Sequence, residues 1–383
     1  MNKKLKYLSF TIVTHVYATG PSFKLEDYLK YKVKNLTFIG HPFSFAKDTR
    51  SFIRVYSKGQ LVLEKKFISW GGSEYSFYIK DLLLTIWWVL RYSKKNDYFV
   101  GVNNFNVFAG LMVGLFKNIG RIIFYTIDYV PQRFDNSFLN SIYHWMDRQA
   151  VSRSHRVWNL SNIMAVQREK NGINTLHRDK QIEVSIGTDI DELPMEFSKI
   201  DRYKIVFLGH LRSGQGLDML VSAMRDVVKK INRTHLLIIG GGPLEKSLMN
   251  KIKKLRLGNN IQITGFIEEY SEVKKLMRNA AIAVAPYVDD KKTYTRYTDP
   301  GKPKDYLACG LPVVITKVPQ VAFQIDESRS GIAIDYKEKQ LVDSLVDLLT
   351  DEPKLKEFRK NAFEFAKKYS WDKIFNEALL KSL

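Results

Sequence analysis

Residues 204–243 read KIVFLGHLRSGQGLDMLVSAMRDVVKKINRTHLLIIGGGP, and this stretch decides the fold. Lys204–Leu208 is a short, almost continuously apolar run with the length of a strand. Leu217–Lys230 reads as a helix, and His235–Ile239 as a second short apolar strand. Strands of this kind, alternating with helices, belong to a parallel sheet covered on both faces. The alternation continues. Leu244–Leu257 reads as a helix and Ile261–Thr264 as a strand, followed by Glu272–Asn279, Ile282–Ala285, Lys304–Ala308 and Val313–Ile315.

The first half carries the same pattern less regularly. Tyr7–Thr14, Leu36–Ile39, Tyr98–Val102 and Ile122–Ile127 are short apolar runs flanked by turn residues, with helical patterns at Ile79–Tyr92 and Phe138–Ser152. Phe52–Tyr56 and Gln60–Glu64, joined around Ser57-Lys58-Gly59, read as an inserted hairpin. The expected fold class is α/β, with two Rossmann-like, doubly wound domains facing each other across a cleft. The expected boundaries are 1–188 for the first domain, 189–203 for a linker, 204–366 for the second domain and 367–383 for a terminal helix. Ligands of such folds sit at the carboxyl ends of the strands.

Composition bounds the function. The 383 residues are 45% hydrophobic and 26% charged, enough for a core in each of two domains. The single cysteine, Cys309, excludes an intramolecular disulfide framework and fits a reducing compartment. Neither a secretory signal nor a membrane span is expected. The longest uncharged stretch contains Asn103, Asn104, Asn106 and glycines, whereas a spanning helix needs about 20 predominantly apolar residues. Of the net charge of +20, +13 falls before residue 191. A basic first half calls for an acidic partner, whether nucleic acid, anionic lipid headgroups or a phosphorylated substrate, or reflects a surface that is merely lysine-rich.

Three strand-end loops are candidates for holding a phosphorylated ligand. Gly209–Gly216 follows a strand and precedes a helix, so its glycines admit close backbone approach, the helix start supplies N–H groups, and His210 and Arg212 add donors. Gly240-Gly241-Gly242-Pro243 lacks Gly-x-Gly-x-x-Gly spacing and reads as a tight turn. In the stretch from Tyr297 to Pro312, Pro300 and Pro303 shape an irregular lead-in to a short helix capped at Gly310. Lys302 there suits a phosphate, and the carboxylate of Asp305 suits a ribose diol.

Taken together, these segments resemble GT-B glycosyltransferases of the family 4 type (glycosyl transferases group 1). Gly209-His210-Leu211 with Gly216-Leu217-Asp218 is similar to the family's Gly-Arg-Leu…Lys-Gly-Leu-Asp. Gly240–Leu244 is similar to its Gly-x-Gly-Pro-Leu turn, and Thr264–Ile267 to its Gly-Phe-Val. Residues 300–314 resemble its Pro-x-Lys-x-x-Glu-Tyr-Leu-Ala-x-Gly-x-Pro-Val-Val block, and Tyr369-Ser370-Trp371 its Phe-Ser-Trp ending, whose helix returns to the first domain. Weaker likenesses are Thr19-Gly20-Pro21, in the place of a glycine loop near the donor phosphates, Ser185–Asp189, and Asp128, which lacks the family's neighbouring histidine. Two departures stand at the phosphate site, where His210 replaces an arginine and Gln215 a lysine. Tyr297 also replaces the first glutamate of a Glu-x₇-Glu pair.

The resemblance implies transfer of a sugar from a nucleotide-diphosphate sugar to an acceptor hydroxyl, with retention and without a metal or other cofactor. Arg212 and Lys302 are expected to hold the leaving diphosphate. Gly20, Gly209, His210, Gln215, Gly265, Phe266, Asp299, Gly301 and Asp305 are expected around the donor, and Asp128 or His15 near the acceptor hydroxyl. The implied acceptor is a glycan or lipid-linked compound in surface glycan assembly, the implied place cytoplasmic and peripheral at an anionic inner membrane face, with no nucleic acid as partner. Two other readings remain open here. One is a GT-B nucleotide-sugar epimerase, the other a non-catalytic basic protein that binds nucleic acid or membranes.

Overall fold

The computed structural model describes residues 2–16, 20–190, 192–290 and 294–383. Its chain divides into two compact units, residues 1–185 with Trp371–Leu383, and Ile186–Ser370.

The first unit runs α1 (Asn2–Leu5), β1 (Ser9–Val16), α2 (Pro21–Lys30), β2 (Asn35–Pro42), β3 (Phe52–Ser57), β4 (Gln60–Lys66), α3 (Glu74–Tyr92), β5 (Asn96–Val102), α4 (Asn104–Val113), β6 (Ile119–Thr126), α5 (Ser137–Arg153), β7 (Arg156–Asn159), α6 (Asn162–Lys170) and β8 (Gln181–Glu183). The strands form one sheet in the order β4-β3-β2-β1-β5-β6-β7-β8. Among the described strands of this sheet only the β2–β3 and β3–β4 pairings are antiparallel, and β3 and β4 are the inserted hairpin, added beside β2. The inner strands are buried on both faces, as their near-continuous apolar runs require.

A buried ion pair fastens this sheet to its helices. Arg168 of α6 is fully buried and bidentate to Asp147 of α5 at 2.8 and 2.9 Å. It also donates to Thr126 at the end of β6 and to Asn159 at the end of β7, and its guanidinium lies over the rings of Phe124 and Tyr129. A second polar cluster sits under α3, where Asp81 pairs with Lys80 at 2.8 Å and with His15 and His41 at 3.2 Å each. Burial alone would raise the Asp81 carboxyl, but the hydrogen bonds and charges of His15 and His41 hold it well below the usual carboxylate range.

The second unit runs β9 (Lys204–Leu208), α7 (Leu217–Lys230), β10 (His235–Ile239), α8 (Glu245–Lys254), β11 (Ile261–Ile263), α9 (Tyr270–Arg278), β12 (Ile282–Ala285), α10 (Lys302–Ala308), β13 (Val313–Thr316), α11 (Val321–Glu327), β14 (Gly331–Ile334), α12 (Glu338–Thr350) and α13 (Glu352–Ala366). Its six strands are parallel in the order β11-β10-β9-β12-β13-β14, so the direction of winding reverses between β9 and β12. The carboxyl ends of strands at such a reversal are where α/β folds bind ligands. On α7, Leu217, Leu220, Val221, Met224 and Val227 repeat at helical spacing and are buried, facing the core and α12. The final helix, α14 (Trp371–Leu380), belongs to the first unit. There Phe375 packs on Tyr28 and Asp372 pairs with Lys32 at 2.9 Å.

Candidate functional site

The loop after β9 is built against the loop after β10. The Gly209 N–H donates to the Ile239 carbonyl at 2.9 Å, and the Leu211 N–H to the Gly241 carbonyl at 3.0 Å. A side chain at Gly242 would meet the Leu211 backbone at 2.6 Å, and one at Gly240 would collide with the Gly209 carbonyl. Gly240 and Gly242 are therefore required by backbone packed on backbone. Gly216, at φ +68°, caps α7 with its Cα against the Pro286 carbonyl. Gly216→Ala should accordingly lower unfolding stability by more than 1 kcal/mol, through left-handed strain plus the clash, as read by urea denaturation.

Lys302, the first residue of α10, points into the Gly209–Gly216 loop. Its ammonium lies against the Cα of Gly209 and donates to Gln215 Oε1 at 3.3 Å. Gln215 is itself buried. Burial pushes the Lys302 ammonium down to about 8, the positive charge of Arg212 works in the same direction, and Asp305 opposes. Arg212 is stacked on the Tyr294 ring and donates to its hydroxyl at 2.5 Å. Gly209, Gln215, Lys302 and Arg212 thus converge, while the His210 side chain stands exposed beside them.

Asp305 lies one turn further along α10 and reaches different neighbours. Its Oδ1 accepts from Thr188 Oγ1 at 2.8 Å, and the hydroxyl of Tyr270 is a second donor. These residues, with Lys274 and Cys309, line a hollow between α9 and α10. Burial raises the Asp305 carboxyl to about 6. The Thr188 and Tyr270 hydrogen bonds act against that rise, and the nearby Asp189 adds to it. The Gly265-Phe266 turn adjoins the Gly240 turn, because the Gly240 N–H donates to the Gly265 carbonyl at 3.1 Å, and Phe266 projects into solvent at 79% exposure.

Asp299 and Gly301 have architectural partners. The Asp299 carboxylate accepts the Ile186 N–H at 2.7 Å and the buried Lys304 ammonium, which also donates to the Ile186 carbonyl at 2.8 Å. Gly301 packs against the side chain of Ile186. Asp299 therefore ties the lead-in of α10 to the start of the unit.

In the first unit, His15 lies next to the end of β1 with both ring nitrogens engaged. Nε2 lies 3.2 Å from Asp81 Oδ2 and Nδ1 3.1 Å from Asn106 Nδ2, with Phe43, Tyr78 and Phe105 around the ring. Neither nitrogen is free for an acceptor hydroxyl in this arrangement, whereas the sequence puts His15 forward as a group near that hydroxyl. Asp128 follows β6 and is paired with Arg133. Gly20 precedes α2, and its carbonyl accepts from Phe23 at 3.0 Å. Thr19, which begins the expected glycine loop, lies outside the described residues. Among the described residues no group of three or more His, Cys, Asp or Glu is placed to hold a metal ion, and no helix is long and apolar enough to cross a membrane.

Sequence reasoning missed Asp81, Tyr270, Thr188 and Tyr294. Asp81 alone left a signal, an adjacent Lys-Asp pair inside an otherwise apolar helical run.

Residues 191–365 match the family model for glycosyl transferases group 1. Curated relatives include an uncharacterised glycosyltransferase of Methanocaldococcus jannaschii, 25% identical over 169 residues, which are 44% of this chain and 44% of the relative. Another is the 2-deoxystreptamine N-acetyl-D-glucosaminyltransferase of Niallia circulans, 22% identical over 201 residues, covering 47% of this chain and 50% of the relative. The chain spans about half the length of these relatives. Among solved structures, sucrose-phosphate synthase of Thermosynechococcus elongatus superposes with a TM-score of 0.73 at 13% identity, over 97% of this chain and 98% of that one. Anabaena Alr3699/HepE in complex with UDP-glucose superposes with a TM-score of 0.69 at 12% identity, over 98% and 100%.

Proposed function

We propose that this chain, whose residues 191–365 match the family model for glycosyl transferases group 1 and which has the GT-B fold, transfers a sugar from a nucleoside diphosphate-sugar to an acceptor hydroxyl. One observation carries this reading. The Lys302 ammonium is held at Gly209 and Gln215, next to Arg212, at the strand ends where the sheet reverses. Gln215 offers no charge, and Lys302 enters from another helix to bring one beside it. The cation missing from the β9–α7 loop is thereby supplied from α10.

The diphosphate lies on Lys302, Arg212 and the first-turn N–H groups of α7, which no side chain caps. As the bond from the anomeric carbon to the diphosphate oxygen breaks, its electron pair passes to the diphosphate, and the two cations stabilise that growing charge. The acceptor oxygen bonds to the same carbon, and its proton passes to the departing phosphate oxygen, so configuration is retained. Asp305 takes the ribose hydroxyls after release from Thr188 and Tyr270, and Gly265-Phe266 borders the base. Because side chains carry the charge, transfer should persist in EDTA. We assign UDP as the nucleotide, since relatives of this fold such as Alr3699/HepE hold UDP-glucose. The acceptor is a glycan or lipid-linked hydroxyl compound of surface glycan assembly, met at the inner membrane face. His15, with both nitrogens engaged, takes no part in proton transfer.

A thermal-shift screen against UDP-, GDP-, ADP-, dTDP- and CMP-sugars tests the donor class. A ligand at 100 times its dissociation constant adds about 2.7 kcal/mol of stability, which reads as an upward shift for UDP-sugars. No shift with any of them would overturn the proposal. Donor affinity should also be bell-shaped in pH. Below about 6, Asp305 gains a proton and loses acceptor capacity, and above about 8, Lys302 loses its charge. Titration of donor at pH 5, 7 and 9 checks both limbs.

A further inference from the structure

Helix α3 is inverted relative to an ordinary surface helix. Tyr75, Ile79, Leu83 and Trp87 follow one another at four-residue spacing and are 67%, 63%, 61% and 52% exposed, with Leu90 continuing the stripe. The charged residues between Glu74 and Arg91 are Lys80 and Asp81, and both are buried and paired with each other. A soluble helix normally turns its charges to water and its apolar stripe to the core. Here the outward stripe carries no charge over four turns.

The neighbouring helices extend the same surface. α4 packs against both α3 and α5, contains no charged residue, and leads into Leu115 and Phe116, 72% and 67% exposed. α5 exposes Phe138, Ile142 and Trp145 on its outer side, while its acidic residue Asp147 points inward to Arg168. Contiguous apolar surface of this extent on one face marks a binding surface rather than chance exposure.

Charge identifies the occupant. α3, α4 and α5 each lead into one of the parallel strands β5, β6 and β7, so their carboxyl ends gather at the amino-terminal ends of these neighbouring strands. Exposed Arg91, Lys94 and Arg153 stand at that end. The first 190 residues carry a net charge of +13. A second copy of the chain would bring this same positive field against itself, whereas an anionic bilayer meets both the aromatic-apolar face and its basic rim.

We propose that the outer face of α3, α4 and α5 docks on an anionic lipid surface. Trp87, Phe116 and Trp145 enter the boundary between headgroups and acyl chains, and Arg91, Lys94 and Arg153 meet lipid phosphates. No residue of the donor site lies on this face, so the inference stands or falls apart from the donor assignment.

The test is co-sedimentation of the full chain with phosphatidylcholine vesicles, with and without phosphatidylglycerol. The native protein should bind the anionic vesicles preferentially. Leu83→Glu with Trp87→Glu should weaken that binding by about tenfold or more, with the melting temperature unchanged because both side chains are exposed. Phe116→Ser, outside the helices, should weaken it independently, and Arg91→Glu with Lys94→Glu should abolish the preference for phosphatidylglycerol. Equal binding to both vesicle types, or native-like sedimentation of the Leu83/Trp87 and Phe116 variants, would overturn the proposal. So would a native dimer in solution that ignores vesicles and dissociates on the same substitutions, which would assign the face to a second copy.

Discussion

Lys302→Ala should lower kcat/KM for the nucleotide-sugar donor by about 100- to 1000-fold, corresponding to ~2.7–4 kcal/mol of transition-state stabilisation. The magnitude follows from the lack of a replacement. Gln215 is neutral, the His210 side chain is exposed, and Arg212 is braced on Tyr294, so the charge set against Gly209 itself is that of Lys302. Steady-state kinetics on donor and acceptor separately check the result. A loss confined to donor parameters places Lys302 at the diphosphate.

The same residue should show the opposite effect on stability. Folding depresses the Lys302 ammonium from its ordinary 10.5 to about 8, so the unfolded chain binds the proton more tightly. The charged lysine therefore destabilises the empty protein fully below about pH 8, and this cost fades as pH rises toward 10.5. Lys302→Met should raise the melting temperature at pH 7 while transfer is lost, and the gain should shrink at alkaline pH. A cation held at a stability cost in the empty site gains its compensation when an anion binds.

The second large effect lies in the first unit. Asp147→Ala should cost about 3–5 kcal/mol of unfolding stability, because it leaves the guanidinium of Arg168 buried without its carboxylate. Thr126 and Asn159 still accept from Arg168, but neither carries a charge. Denaturant unfolding measures the loss. Replacing both partners by apolar residues of similar volume should cost much less, which separates the unpaired charge from lost packing.

How far the sequence foretold this molecule depended on the kind of signal. The strands β9, β10 and β12 were legible because a parallel sheet buried on both faces demands short, unbroken apolar runs. The β3–β4 hairpin was legible from its Ser57-Lys58-Gly59 turn, where Lys58 and Gly59 both take positive φ. Helix starts were less so. α3 begins at Glu74 rather than Ile79 because its exposed face is apolar, so the usual change of polarity does not mark the outer turns.

The site was half legible. Lys302 and Asp305 stood out through the Pro300–Pro303 lead-in, yet spacing gave no hint that they face different neighbours. Asp299 looked as suited to a ligand as Asp305, and only the fold commits it to Ile186 and Lys304. The engagement of His15 by Asp81 and Asn106 was hidden as well, since 66 and 91 residues separate those partners from it.

The proposed role of Lys302 as the group that reads the diphosphate is tested most directly by calorimetric titration of UDP and uridine into the native protein and Lys302→Ala at pH 7. The native protein should prefer UDP over uridine by at least about tenfold, or 1.4 kcal/mol, and the variant should lose that preference while still binding uridine. An unchanged preference in Lys302→Ala would contradict the account.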